Sequence, residues 1–325
     1  MVALPDAKPS NWVDAYAPAA LRPWLKLGRF DRPTGIWLLM LPGWQGVALA
    51  AAMQGRWPDP AMLVLVFAGA ALMRAAGCAY NDIVDRDIDA KVARTAGRPI
   101  PSGQISVKQA WAFVAACSLA ALGILVWLSP LAIGLGAASL VLVAAYPFMK
   151  RITWWPQAWL GLTFNWGVLL GFAAATGASA AYAAWTWATQ GWFLWEPGLL
   201  TLPALVLYAS GVCWTLGYDT IYAIQDLEDD ALAGVKSSAR RLGPRAPRAV
   251  ALFYLLTLAF AYLAGLAAGL GLAFSVAMIA YAIHLGWQAR QVKVDDPALA
   301  LRLFKSNTWA GLILVVALVL GGLTP

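Results

Sequence analysis

Acidic residues concentrate in two short windows of this sequence. Residues 81–89 include four acids and residues 219–230 include five. Together they hold nine of the 16 acidic residues in a chain of 325. Side chains that are this scarce and this clustered are the first candidates for chemistry.

Within each window the acids recur at helical spacing. Steps of three, four or seven residues place side chains on one face of an α-helix. The acids on a shared face are Asp82, Asp85 and Asp89, which we call the first stripe, and Asp219, Asp226 and Asp230, which we call the second stripe and which Tyr222 accompanies. Each stripe is predicted to lie at a helix end.

Carboxylates packed this densely repel one another and resist desolvation, and a divalent cation relieves both problems. The chain has one histidine, and its three cysteines lie inside apolar segments. Oxygen ligands alone favour a hard ion, above all Mg²⁺, which completes its shell with water and phosphate. Two stripes therefore predict two Mg²⁺ ions that bridge a diphosphate. A solvated acidic helix end is the alternative for either window alone.

Several basic residues complement the stripes. Arg74 lies seven residues before Asn81, on the same helical face and deeper in an apolar segment. A charge at that depth is costly unless it is paired or functional. Arg74 is therefore either the ion-pair partner of a stripe carboxylate or a docking cation for a small anionic substrate.

Cations near the helix ends are further candidates. Pro147 is predicted to break a helix and to present Lys150 and Arg151 at the membrane interface, where they neutralise a diphosphate or simply anchor the chain. Arg94 and Arg98, in the loop after the first stripe, are further phosphate candidates. Arg29 and Arg32, just before the first span, are also candidates.

The composition identifies the elements that position these residues. The chain is 61% hydrophobic and 12% charged, against about 45–50% and about 25% in soluble domains. This excludes an ordinary soluble enzyme, a disordered chain and a nucleic-acid binder, and it predicts an all-α polytopic membrane protein. Nine apolar spans are predicted, at residues 36–53, 61–82, 108–128, 131–147, 157–176, 201–225, 247–267, 270–288 and 307–323.

Charge sets the predicted orientation of these spans. Of 23 Lys and Arg residues, 21 lie on the side of the N-terminus, which the positive-inside rule makes cytoplasmic. The first 35 residues lack the features of a signal peptide or a transit peptide. We therefore expect a multi-pass protein of the bacterial inner membrane, with its N-terminus and active-site loops in the cytoplasm.

The position of the stripes predicts the architecture. They close the second and the sixth span, which suggests two pseudo-repeated four-helix units around a central cavity, with the first span packed outside them. Residues 1–35 form a tail with a possible interfacial helix, and residues 36–325 form a single transmembrane domain. Residues 177–200 form a long loop on the other side, with tryptophans at the interface.

The two windows resemble the paired signatures of the UbiA superfamily of intramembrane prenyltransferases. Asn81 opens the first motif, Asn-Asp-x-x-Asp-x-x-x-Asp, and Asp219 opens the second, Asp-x-x-Tyr-Ala-x-x-Asp-x-x-x-Asp. Residues 146–157 and 161–167 are similar to the 4-hydroxybenzoate polyprenyltransferases of ubiquinone synthesis. The resemblance implies Mg-dependent transfer of a polyprenyl group from polyprenyl diphosphate to the carbon ortho to the hydroxyl of 4-hydroxybenzoate.

The resemblance also implies roles for individual residues. Arg74 matches a position implicated in acceptor or phosphate binding, and Lys150 matches a lysine near the phosphate. We expect catalytic roles for Asp85, Asp219 and Arg74. We expect substrate contacts from Arg74, Asn81, Lys150, Arg151, Tyr222, Arg94 and Arg98. Metal contacts are expected from Asn81, Asp82, Asp85, Asp89, Asp219, Asp226 and Asp230.

Three alternatives stay open at this point. A family member with another acceptor, such as a haem, chlorophyll-type, homogentisate or naphthoate prenyltransferase, shares both motifs. An ion-coupled transporter would use intramembrane acids, although these usually lie near the midplane. A structural scaffold explains neither stripe. The expected partners are the two substrates and the lipid bilayer, without nucleic acid or an obligate protein partner.

Overall fold

A computed structural model describes residues 11–90, 95–192, 194–232 and 234–323, and all regular elements in these ranges are helices. The N-terminal helices are α1 (Trp12–Tyr16) and α2 (Arg22–Leu27). The long helices are α3 (Thr34–Ala52), α4 (Pro60–Asp89), α5 (Val107–Leu125), α6 (Pro130–Ile152), α7 (Pro156–Thr176), α9 (Leu202–Ala223), α12 (Ala246–Ala267), α13 (Leu272–Gln291) and α14 (Pro297–Leu323). Shorter helices are α8 (Ala180–Gln190), α10 (Leu227–Leu232) and α11 (Ser238–Leu242).

The nine long helices coincide with the nine predicted spans. Eight helical segments of the described chain are long and apolar enough to cross a membrane. The remaining long helix, α9, has 22 residues and carries the start of the second stripe. Local signals place the helix starts. Ser106 and Gln109 form a capping box before α5, and Ser129 caps α6 just before Pro130.

Two local predictions were wrong. Pro147 does not end its helix, because α6 continues through it to Ile152. Residues 177–200 are not all loop, because Ser179 caps the 11-residue helix α8. Trp185 and Trp187 of α8 are exposed, as side chains at a membrane interface would be.

The long helices form two groups that meet along α3 and where α7 packs on α9. Helices α4 to α7 lie on one side, and α9 with α12 to α14 lies on the other. We expected the first span to pack outside the two groups, and this prediction was wrong. Helix α3 packs mainly on α7 and α14, and 78% of its apolar window is buried.

Glycines explain how α3 fits between its neighbours. A Cβ added to Gly46 would lie 2.1 Å from the Val168 carbonyl oxygen, and one on Gly171 would lie 2.3 Å from the Gly43 carbonyl oxygen. Real Cβ atoms do not approach that closely, so both contacts require glycine.

Candidate active site

Two connected cavities lie where the stripes end. A polar chamber of about 260 Å³ lies between the ends of α4, α6 and α9. An apolar chamber of about 650 Å³ continues from it among α4, α5, α6 and α7, beside α3. The residues that line both chambers, and so form their junction, are Asn81, Arg98, Tyr146, Pro147 and Tyr222.

The polar chamber collects charges of both signs. Its carboxylates are Asp89, Asp219, Asp226 and Asp230, and its cations are Arg98, Lys150 and Lys236. All three members of the second stripe are therefore present, but only one member of the first. Asp82 and Asp85 do not line this chamber, so their assignment as metal ligands stays a prediction.

The first stripe is bound by basic side chains. Lys150 Nζ donates to Asp85 Oδ2, and Arg151 Nη2 donates to Asp85 Oδ1 at 3.1 Å. Arg98 Nη1 donates to Asp89 Oδ2 at 2.6 Å. The Asp85 side chain is fully buried, and a carboxylate at such a site requires partners of this kind.

The second stripe is built on an irregular backbone. Helix α9 ends at Ala223, a 3-10 turn spans Ile224–Asp226, and α10 begins at Leu227. The second stripe therefore lies at a helix end, as predicted, but it does not lie on one regular helix. A 3-10 turn advances about 120° per residue rather than 100°, yet Asp219, Asp226 and Asp230 still face the same chamber.

Arg74 projects into the apolar chamber beyond the junction. Its guanidinium carbon lies 5.4 Å from the centre of the Phe164 ring, a cation–π contact. Its Nε is buried without a hydrogen-bond partner. Among the described residues Arg74 forms no ion pair with a stripe carboxylate, and its role as a docking cation stays a prediction.

The other predicted substrate contacts divide between the chamber and the surface. Tyr222 lies at the junction, with its ring 4.6 Å from that of Phe304. Lys150 lines the polar chamber, whereas the Arg151 side chain is 44% exposed and lines neither chamber. Arg94 lies outside the described residues.

Sequence reasoning missed Lys236. This residue follows the second stripe, and its backbone N–H donates to the Lys150 carbonyl oxygen at 3.0 Å. Gln157 helps to fix the same loop, because its Oε1 accepts from the Ser238 N–H at 3.0 Å. No local pattern in the sequence indicates these contacts, since they join opposite halves of the molecule.

The donor set of the polar chamber fits a hard divalent cation. Four carboxylates and the Asn81 amide supply the oxygen ligands that Mg²⁺ prefers. Within the described ranges, no three His, Cys, Asp or Glu side chains already converge as a metal site. The chamber therefore has the chemistry for a metal held jointly by protein and phosphate oxygens.

Comparisons with known proteins agree with the motifs. Residues 39–313 match the model of the UbiA prenyltransferase family. The chain is 43% identical over 314 residues to the mitochondrial 4-hydroxybenzoate polyprenyltransferase of Arabidopsis thaliana, covering 97% of this chain and 72% of that protein. The Homo sapiens protein of the same name is 43% identical over 307 residues, covering 94% and 77%.

Solved structures share the fold. A UbiA homolog from Aeropyrum pernix K1 superposes with a TM-score of 0.68 at 27% identity, covering 86% of this chain and 96% of that one. A UbiA homolog from Archaeoglobus fulgidus bound to GPP and Mg²⁺ superposes with a TM-score of 0.62 at 19% identity, covering 91% and 99%.

The same comparisons correct the predicted location. The relatives from Arabidopsis thaliana and Homo sapiens are named as mitochondrial proteins. The prediction of a bacterial inner membrane, with the active-site loops in the cytoplasm, was therefore wrong. The multi-pass architecture is unaffected, because it follows from the long apolar helices themselves.

Proposed function

Because the chain belongs to the UbiA prenyltransferase family, we propose that it is an aromatic prenyltransferase that acts on 4-hydroxybenzoate. It transfers a polyprenyl group from polyprenyl diphosphate to the ring carbon ortho to the hydroxyl. The observation that carries this proposal is the pair of connected chambers, one polar and one apolar. The 43% identical relatives are named for their action on 4-hydroxybenzoate, which supplies the acceptor.

The two chambers suit the two ends of a prenyl diphosphate. The diphosphate lies in the polar chamber against Lys150, Arg98 and Lys236, and the prenyl chain lies in the apolar chamber. The allylic carbon then lies near the junction, beside Tyr146 and Tyr222. An apolar site excludes water, which would otherwise capture the allylic cation.

The reaction begins when the allylic C–O bond breaks and the diphosphate leaves with the bonding electrons. Lys150, Arg98 and Lys236 stabilise the charge that develops on the departing oxygen. When bound, Mg²⁺ supplies further positive charge to the same phosphate oxygens. We propose that two ions bind in the polar chamber. Asp219 and Asp226 are their principal ligands, together with the other carboxylates that face the chamber.

The acceptor ring then attacks the allylic carbon through the position ortho to its hydroxyl. The ring becomes an arenium cation, and loss of the ring proton restores aromaticity. Since an arenium cation is strongly acidic, a weak base such as the released diphosphate suffices. Arg74 orients the acceptor by binding its carboxylate, because the buried Nε has a hydrogen bond to offer.

A membrane assay tests the proposal. Membranes that contain the chain are incubated with labelled 4-hydroxybenzoate, a polyprenyl diphosphate and Mg²⁺, and the labelled prenylated product is extracted. We expect product that EDTA abolishes and added Mg²⁺ restores. Product with homogentisate or a naphthoate, but none with 4-hydroxybenzoate, would reject the acceptor and retain the reaction type.

A further inference from the structure

Asp82, like Asp85, is buried and bound by two basic side chains. Arg29 Nη2 donates to both of its oxygens, at 2.7 and 2.8 Å, and Arg98 Nη1 donates to Oδ1 at 3.2 Å. The Asp82 side chain is 1% exposed, and it does not line the polar chamber. Its oxygens therefore already face two guanidinium groups.

This environment makes Asp82 a poor ligand for a divalent cation. An ion on either oxygen would stand beside two positive charges, with little water to screen the repulsion. Arg29 is held in place as well, because its Nη1 donates to the Lys26 carbonyl oxygen at 3.0 Å. Its backbone is left-handed, with φ of 60°, a conformation that persists in a bulky residue only when its surroundings hold it.

Arg98 connects Asp82 to the active site. The nitrogen that reaches Asp82 also donates to Asp89 Oδ2 at 2.6 Å, and Arg98 lines both chambers. Asp89 faces the polar chamber. If Asp89 were to hold a metal ion, Arg98 would lose its shorter contact, and Asp82 would be the carboxylate that keeps the guanidinium at the junction.

We propose that Asp82 is a positioning residue and not a metal ligand, and that it holds Arg98 at the junction so that Arg98 binds the diphosphate. The inference rests on the proposed function for the presence of a diphosphate. It separates Asp82 from Asp226, which faces the polar chamber and which we assign to the metal. The two residues therefore predict different results in a metal-binding experiment.

Metal binding is measured directly on the purified full chain in detergent. Mn²⁺ is titrated by electron paramagnetic resonance with inorganic diphosphate in excess, for the wild type, Asp82→Asn and Asp226→Asn. Asp87→Asn is the matched control, because Asp87 lies on the same helix and its side chain is 82% exposed. We expect Asp226→Asn to weaken Mn²⁺ binding at least about tenfold. Asp82→Asn is expected to stay within about twofold of the control. Equal weakening by both variants would overturn the proposal.

A double-mutant cycle tests the connection through Arg98. Asp82→Asn and Arg98→Gln are each expected to raise the KM for prenyl diphosphate about tenfold, with a smaller change in kcat. If Asp82 acts through Arg98, the double variant stays within about twofold of Arg98→Gln alone. Multiplied effects would contradict the proposal, since a purely structural role predicts losses that are independent of Arg98.

The folding of Asp82→Asn is controlled separately, since that variant leaves Arg29 buried and unpaired. The double variant Arg29→Gln with Asp82→Asn removes both buried charges, and the same Mn²⁺ comparison applies to it. The Mn²⁺ titration uses no acceptor. A normal metal pattern without product from 4-hydroxybenzoate would therefore reject the proposed acceptor alone. A wild-type chain that binds no Mn²⁺ with diphosphate would reject both proposals.

Discussion

The two acidic stripes resemble each other in sequence and differ in their surroundings. The first stripe lies on one continuous helix, and its described carboxylates are bound by Arg29, Arg98, Lys150 and Arg151. The second stripe crosses a 3-10 turn, and all of its carboxylates line the polar chamber. Acids at similar helical spacing therefore lie in different surroundings. Ion pairs join the first stripe to neighbouring elements, whereas all three acids of the second stripe and one of the first line the chamber.

The largest effect is expected from a chamber carboxylate. Asp226→Asn should lower kcat about 10³-fold, because it removes charge that binds the metal–diphosphate complex. The thermal midpoint should hardly change, since Asp226 faces a cavity rather than a packed core. Turnover by the proposed prenyl-transfer assay and thermal unfolding check both parts. A fully active Asp226→Asn protein would contradict the assignment of the second stripe to the metal–diphosphate complex.

Substitution of a carboxylate in the first stripe is expected to lower mainly the free energy of unfolding. Asp82→Asn should cost about 3–5 kcal/mol of unfolding free energy, the usual result of removing one partner of a buried ion pair. The reason is that the Arg29 and Asp82 side chains are only 10% and 1% exposed. Denaturant unfolding of Asp82→Asn and Asp87→Asn measures the difference. Equal stability of the two variants would contradict the structural role of the first stripe.

Two basic side chains bind Asp85, and their substitutions can be compared directly. Lys150 and Arg151 both bind this carboxylate, but only Lys150 lines the chamber. Lys150→Gln should cost about 1.5–3 kcal/mol of diphosphate binding. Arg151→Gln should cost less than about 1 kcal/mol, because its side chain is largely solvated. The KM for prenyl diphosphate reports both, and a larger effect from Arg151 would place the diphosphate elsewhere.

The smallest effect is expected from an ion pair near neither chamber. Lys26 Nζ lies 2.6 Å from Asp14 Oδ1, with side chains 24% and 35% exposed. The hydrogen bond from Lys26 holds the pKa of Asp14 below its usual range. Asp14→Asn should therefore cost less than about 1 kcal/mol. Because the folded pKa is lowered, this contribution is present above the ordinary carboxylate pKa and is lost as the pH falls through the lowered value.

Thermal unfolding of the wild type and Asp14→Asn across that acidic range measures the contribution. The two curves should converge as the carboxylate becomes protonated. A large difference that persists at low pH would show that Asp14 stabilises the chain by something other than charge. Such a result would also weaken the conclusion that the ion pairs of the first stripe stabilise the chain because they are buried.

The predicted and observed features divide according to their range in the sequence. The nine spans were predictable because each long helix is apolar over most of its length. The burial of α3 was not, because its hydrophobicity resembles that of helices that face lipid. The packing of α3 on both α7 and α14 shows that it lies between the two groups.

The candidate site shows the same division. Asp219, Asp226, Asp230 and Lys150 were predicted from their types and spacing, and the structure places them around one chamber. Lys236 was missed, because its contact with Lys150 joins residues far apart in the chain. The partners of the first stripe were missed for the same reason, since Arg29 and Asp82 are 53 residues apart.

By itself the sequence determined the class of protein, the number of long helices and the two acidic stripes. These features depend on composition and on spacing within a few helical turns, which the covalent chain dictates directly. Only the tertiary structure decided which cations contact the carboxylates of the first stripe and which acids of either stripe line the chamber. That choice depends on which distant helices meet, and thus on packing and desolvation, which local spacing does not encode.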